Sequence, residues 1–414
     1  MSRQRPGSNA MDERASGIGS PLRNIGLLAV AQAILGSNQA IIMSIASLTA
    51  ATMVADKGFA TVPVTLMIIG TALATGPAAL LIHSLGRREG LMLGASIAIP
   101  AGLVAALSAW LDQFWLFCLA LALFGIPAAF ANQYRFAAAD SVPPKLKSRA
   151  ISWVLFGGVV AGFLGPQISA HTKGWVPGHE FAATYLVMGL LALLAIAVLS
   201  RTRLAPTVKR AEDRKAGRPL GVLLRDTGIW VPMLVAAASY SLMVLVMIAA
   251  PLAMVYVCGH TTEDAAFAIQ WHIVAMFAPS FITGAIIHRI GARLTAAIGL
   301  LLILLAAGTN LHGTSTLHFD IALVLLGVGW NFGFIASTAM LAAAYRPEEA
   351  AKVQAANEQV VFGVMALASI ASGLLLQLIG WEAINLLAIP VAAVAILALA
   401  WVSFRPGAAE GQPG

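Results

Sequence analysis

The stretch His83-Ser84-Leu85-Gly86-Arg87-Arg88 joins two long apolar runs. It returns as His288-Arg289-Ile290-Gly291-Ala292-Arg293 between two further apolar runs. His83 and His288, Gly86 and Gly291, and Arg88 and Arg293 are each 205 residues apart. A second register agrees, with Pro144 and Pro347, and Arg149 and Lys352, each 203 apart. Two weakly similar halves therefore follow one another in a single hydrophobic chain.

Composition fixes the class of that chain. Of its 414 residues, 59% are hydrophobic and 10% charged, against roughly 25% charged in a soluble domain. Most apolar segments lack the polar stripe that a water-facing helix needs. The expected fold is all-α: a polytopic membrane protein with twelve transmembrane helices in two six-helix bundles, the arrangement that parallel internal repeats imply. The sequence pI near 9.7 does not point to nucleic acid, because the basic residues are confined to connecting loops. Cys118 and Cys258 both fall in apolar segments, so neither a disulfide nor a metal site is expected. No cofactor is expected. Residues 1–21 are polar, hold Gly and Pro and lack an apolar core, so a cleaved signal is not expected.

A helix needs about 20 apolar residues to cross the bilayer. The expected spans are 24–53, 60–82, 91–110, 114–138, 150–171 and 181–199, then 228–257, 264–287, 294–311, 319–344, 353–377 and 381–404. The expected organisation is a tail at 1–23, a bundle at 24–199, a polar Arg- and Lys-rich loop at 200–226, a second bundle at 227–404 and a tail at 405–414.

Short cytoplasmic loops collect Lys and Arg. Of the 25 such residues, Lys57 and Lys173 fall on one side and Arg135 lies within the end of a span. The remaining 22 fall at the termini and the even-numbered connections. Both termini are therefore expected in the cytoplasm, with the chain in a bacterial inner membrane.

Twelve spans, a basic central loop and a Gly-x-Arg-Arg turn after span 2 together resemble the major facilitator superfamily, over almost the whole chain. In that family the signature of this turn begins with Gly and has Asp at its fifth position. Here those positions hold Ala79 and His83, and in the second copy Gly284 and His288. The resemblance implies a cytoplasmic lock between the halves, which a histidine, mostly neutral near neutral pH, would weaken. Local stretches carry the likeness further. They are Tyr134-Arg135-Phe136-Ala137-Ala138-Ala139-Asp140; Trp271-His272 followed by Met276-Phe277-Ala278-Pro279-Ser280; and Tyr345-Arg346-Pro347-Glu348-Glu349 leading to Lys352-Val353-Gln354. Together they are similar to a bacterial branch that includes riboflavin transporters and magnetosome-associated transporters.

An ionisable group at membrane depth is costly and marks function. No Asp or Glu lies near the middle of an expected span, and Glu358 is the deepest acid. It is open either to proton coupling or to pairing with bases at the cytoplasmic rim. Arg135 and Asp140 are expected to form a cytoplasmic charge cluster with Arg149. With His83, Arg87, Arg88, His288, Arg293 and Glu358 they make the candidate gating set. Neutral polar and aromatic residues are commoner at depth. Asn38 and Gln39 in span 1, Asn132 in span 4, Tyr240 in span 7, Trp271 and His272 in span 8, and Trp330 and Asn331 in span 10 are the candidate substrate-binding residues. Each could instead be interhelical glue, and His272 a satisfied packing residue. In the superfamily, however, spans 1, 4, 7 and 10 line the cavity. Amides and aromatic faces without charge suit an uncharged polar ring system.

The expected activity is secondary transport of a small, largely neutral organic solute by a monomer, with riboflavin uptake favoured by the branch resemblance. Efflux of drugs or metabolites, a metal-ion carrier of the same fold and a non-transporting membrane sensor are the alternatives. The chain has no Gly-x-x-x-x-Gly-Lys loop, so drive by ATP is not expected. No paired carboxylates, His cluster or Ser/His/Asp arrangement lies at membrane depth, so an enzyme is not expected.

Overall fold

A computed structural model describes residues 21–143, 146–204 and 217–403. Most of the expected tails, Pro144 and the middle of the central loop lie outside the described residues. The first half builds α1 (Pro21–Met53), α2 (Val62–Leu85), α3 (Arg87–Trp110), α4 (Phe114–Ala131), the short α5 (Tyr134–Ala139), α6 (Lys147–Thr172) and α7 (Ala182–Leu199). The second builds the short α8 (Leu220–Leu223), α9 (Thr227–Leu252), α10 (Thr262–Phe277), α11 (Ser280–Ile290), α12 (Ala292–His312), α13 (Thr316–Ala344) and α14 (Ala350–Ser403). The described residues contain no strand.

Both copies of the repeated turn adopt the same backbone. Gly86 has φ 99° and ψ 155°, and Gly291 has φ 84° and ψ 153°. Positive φ at these angles is open to glycine and strained for other residues. The glycine ends one helix and caps the next, so the turn reverses direction in a single residue. This is the structural reason for the repeat that the sequence displays.

Ten described helices are long and apolar enough to cross a membrane, and the bent pair α10–α11 makes eleven. The longest stretch, Lys352–Val402, has 51 residues and would extend for about 75 Å at 1.5 Å per residue. That is more than twice the hydrocarbon thickness of a bilayer. Gly380 interrupts α14 with φ 83° and ψ 177°, which divides it into the two crossings expected at 353–377 and 381–404.

Other spans depart from simple rods. The expected span 114–138 breaks after Ala131 into α4 and α5. The expected span 264–287 runs from Thr262 to Ile290 and bends by 46° at Ala278-Pro279. A proline removes one backbone donor and clashes with the preceding turn. Beyond Leu252, α9 continues into a π turn, Ala253–Val257.

Helices approach closely where glycine removes the side chain. A Cβ at Gly165 of α6 would meet Ala40 Cβ of α1 at 2.6 Å, and one at Gly102 of α3 would meet the backbone of Gly189 in α7 at 2.8 Å. Large apolar side chains such as Leu73, Trp115, Leu190 and Leu305 stand exposed on the outside. A water-soluble protein rarely shows so much apolar surface, whereas lipid accepts it.

The connections at 86, 140–143, 146, 200–204, 217–219, 291 and 345–349 form one end of the molecule, here termed the basic end. Those at 54–61, 173–181, 258–261 and 313–315 form the distal end.

Candidate functional site

Midway along the helices lies a cavity enclosing about 970 Å³ of space between atoms, part of it open to solvent. Helical periodicity builds its walls. On α1, Gln32, Gly36, Gln39 and Met43 recur at i, i+4, i+7 and i+11, and on α9, Tyr240, Met243, Val244 and Met247 recur at i, i+3, i+4 and i+7. Such spacings place side chains on one helix face. Phe277 of α10 and Phe362 of α14 add aromatic rings, and Asn132, just past α4, adds a third amide to Gln32 and Gln39. Among the described residues, no Asp, Glu, Lys or Arg lines the space.

Six of the chain's 14 methionines line this one cavity: Met43, Met67, Met243, Met247, Met276 and Met365. The thioether is soft and polarisable and packs favourably on aromatic rings. The sequence reading passed over them, because methionine in an apolar segment looks like any core residue. The stripe Tyr240-Met243-Met247 is the signal that finds them.

Hydrogen bonds, ion pairs and ring contacts close the distal side of the cavity between the two sequence halves. Thr65 Oγ1 of α2 donates to Ser369 Oγ of α14 at 2.7 Å, in a buried contact. Gln167 Nε2 of α6 donates to Gln270 Oε1 of α10 at 2.9 Å. Lys173 Nζ lies 2.6 Å from Glu263 Oε1 and also bonds Thr262 Oγ1, while Lys57 stands 5.5 Å over the Tyr256 ring. Burial opposes the charge of Lys173, but the carboxylates of Glu263 and Glu180 outweigh it and raise its pKa. On the opposite side Asn132, Glu358 and Gln359 are exposed. The cavity thus opens toward the basic end.

The sequence candidates separate into distinct groups. Gln39, Asn132 and Tyr240 line the cavity. Trp330 stands behind Tyr240, edge to face at 5.1 Å, and stacks on Phe334 at 5.4 Å with 9° between planes. It is buried, and its indole N–H has no partner. Asn38 points into the first-half bundle, where its Nδ2 donates to the Met188 carbonyl at 3.2 Å. Trp271 packs edge to face against Phe163 of α6 at 5.5 Å and is partly exposed. His272 is fully buried, and its Nδ1–H donates to the Leu323 carbonyl at 2.7 Å.

Asn331 has a clear scaffold role. Its Nδ2 donates to the Met276 carbonyl and to Ser280 Oγ, each at 2.7 Å, and its Oδ1 accepts from Thr283 Oγ1 at 2.6 Å. These three partners bracket the Pro279 bend. A side chain on α13 therefore satisfies a backbone carbonyl that the bend leaves free, as a break within the membrane requires.

The charged residues ring the basic end. Arg87 pairs with Asp140, so the link runs from the repeated turn to the end of α5. Arg135 lies over the Phe136 ring at 4.8 Å, its Nε is buried without a partner, and it interacts electrostatically with Glu358 and Tyr240. It thus faces the cavity mouth. His83, Arg88 and His288 are exposed and Arg293 half-buried. The side chain of Arg149 lies outside the described residues. One buried acid escaped the sequence reading. Glu349 accepts from Arg218 Nε at 2.8 Å and Nη2 at 3.0 Å, and from the Arg346 amide at 3.1 Å. Arg218 thereby holds the Glu349 carboxyl well below the usual carboxylate range and ties the end of the central loop to the turn before α14.

The sequence model described as Major Facilitator Superfamily matches residues 28–367 and 273–414. The chain belongs to the major facilitator superfamily. It is a multi-pass membrane transporter of that family. Over 379 residues it is 42% identical to the "Riboflavin transporter RfnT" of Brucella anthropi, covering 91% of this chain and 95% of that one. It is 28% identical over 339 residues to the "Uncharacterized MFS-type transporter YddS" of Bacillus subtilis, with 75% of each chain covered. Among solved structures, a bacterial homologue of the iron transporter ferroportin in its outward-facing state superposes with a TM-score of 0.61 at 14% identity. That match covers 92% of this chain and all of the other, and it speaks for the fold alone.

Proposed function

We propose that this superfamily member takes riboflavin up across a bacterial inner membrane, with the cavity between α1, α4, α9 and α14 as the substrate site. The observation that carries this reading is the 42% identity, over 91% of the chain, to a protein named as a riboflavin transporter. The chemistry of the cavity supports it. Methionines, Tyr240, Phe277 and Phe362 offer faces to a flat ring, and Gln32, Gln39 and Asn132 offer bonds to its polar edge. An uncharged lining suits a neutral substrate.

In this reading the basic end is cytoplasmic, by the excess of Lys and Arg in its connections. Both termini lie on that side, and the cavity opens toward the cytoplasm. The chain acts as a monomer, with bundles at 24–199 and 227–404 rocking about the site. His83, Arg87, Arg88, Arg135, Asp140, Arg149, His288, Arg293 and Glu358 form the rim that closes when the distal contacts part.

Counterflow in proteoliposomes tests the proposal. Vesicles preloaded with riboflavin should accumulate labelled riboflavin from outside, and expression should rescue a riboflavin auxotroph at low external vitamin. Absence of exchange by well-folded, correctly inserted protein would refute it.

A further inference from the structure

We infer that the site has two compartments: the methionine-walled chamber for the substrate's ring, and an amide-lined annexe between α1 and α4 for its hydroxylated tail. The inference rests on the riboflavin reading above. The annexe is a narrow space of about 440 Å³ between atoms, part of it open to solvent, less than half that of the chamber. The two adjoin, since Gln32, Gly36, Gln39, Met67, Ala128 and Asn132 border both.

Asn38 borders only the annexe. It is 4% exposed. Its Nδ2 is held by the Met188 carbonyl, which leaves Oδ1 buried with no partner. Buried polar atoms are nearly always satisfied, because an orphan loses its hydration and gains nothing in return. An occupant that donates a hydrogen bond would repair the deficit. Gln32, Gln39 and Asn132 add further amides on the same lining, and each amide offers both donors and an acceptor. A hydroxyl likewise donates and accepts, so a chain of hydroxyls matches the annexe, whereas a fused ring matches the larger, softer chamber. Riboflavin carries both parts.

Titration of the purified protein by flavin fluorescence, with riboflavin and with lumiflavin, tests this. Lumiflavin keeps the ring and has a methyl group in place of the ribityl tail. The wild type should bind lumiflavin about tenfold or more weakly, the worth of one hydrogen bond whose buried partner is left unpaired. Asn38→Leu should weaken riboflavin about tenfold and leave lumiflavin unchanged. Gln39 borders both compartments, so Gln39→Leu should weaken both flavins and carries less risk to folding. Equal affinities for the two flavins in the wild type, or equal losses for both in Asn38→Leu, would overturn the annexe. A wild type that binds neither flavin would overturn the riboflavin reading and the annexe with it.

Discussion

Lys173→Met should tilt the transporter toward opening at its distal end. Lys173 follows α6 and reaches across to the start of α10, where it meets Glu263 at 2.6 Å and also Thr262. Its contact with Glu180, at 3.0 Å, stays within the first half. Only the Glu263 and Thr262 contacts must break when the halves part. The side chains of Lys173 and Glu263 are 26% and 59% exposed, so water screens the pair, and a screened pair contributes about 0.2–1 kcal/mol. The hydroxyl bond adds about 0.5 kcal/mol. A total near 1 kcal/mol corresponds to roughly a fivefold change in the ratio of closed to open molecules. The pKa of Lys173 is raised above 10.5 in this closed form. Its contribution is therefore fully present below about pH 10.5 and is lost as pH rises through the raised value, so the shift should be flat across neutral pH. Spin labels at Trp175→Cys and Leu317→Cys, in a background lacking Cys118 and Cys258, would report the distal separation. Lys173→Met should enlarge the long-distance population, and Glu180→Gln should barely move it. An unchanged distribution in Lys173→Met, or equal changes in both variants, would refute the argument.

Other perturbations separate lining from scaffold. Tyr240→Ala removes a ring at the cavity wall and should raise the Kd for riboflavin by roughly two- to tenfold, from about 0.5–1.5 kcal/mol of stacking; Trp330→Ala acts through Tyr240, so Trp330→Phe should bind almost normally in the same titration. Asn331→Leu leaves the Met276 carbonyl unpaired beside the Pro279 bend and should cost about 1–3 kcal/mol of stability, read as a lower melting temperature in detergent, while the Kd of the folded fraction stays unchanged. Glu349→Gln should lower the melting temperature at neutral pH. In the wild type the stabilisation by this depressed carboxyl is present above about pH 4.5 and is lost as pH falls through its lowered pKa, so the two melting curves should converge in acid.

The fold was legible because membrane helices announce themselves by length, and turns by glycine. The repeat at Gly86 and Gly291 is visible in the sequence because one positive-φ turn is built twice. Gly380 ends the eleventh expected span for a similar reason. The bend at Pro279 was harder to read, since a proline within an apolar run keeps its hydropathy and changes only the path. The charged residues show why partners are harder to read from sequence than positions. Arg135 and Asp140 are near neighbours in sequence; Asp140 meets Arg87 from another helix, and Arg135 interacts with Glu358. Nearby positions on a helix end point in different directions, and only the neighbouring elements decide which partner each one finds.

The cavity wall was the least legible part, and the reason is physical. In a soluble helix the polar stripe marks the outer face, so the opposite face can be inferred. A membrane helix is apolar on its lipid face and on its packing face alike, and that contrast vanishes. Sequence reasoning then falls back on polar atoms, which cannot tell lining from glue. Asn38 and Gln39 are adjacent, about 100° apart around α1, and only Gln39 reaches the chamber. Asn331 is as polar as Asn132 but is spent on a proline bend. Six methionines and two phenylalanines of the wall carry no polar mark, so no polarity search finds them. Methionine also fits the mechanical demand on a transporter. A site between rocking bundles has to hold one ligand in more than one geometry, and an unbranched side chain with three rotatable bonds can repack around it at each stage.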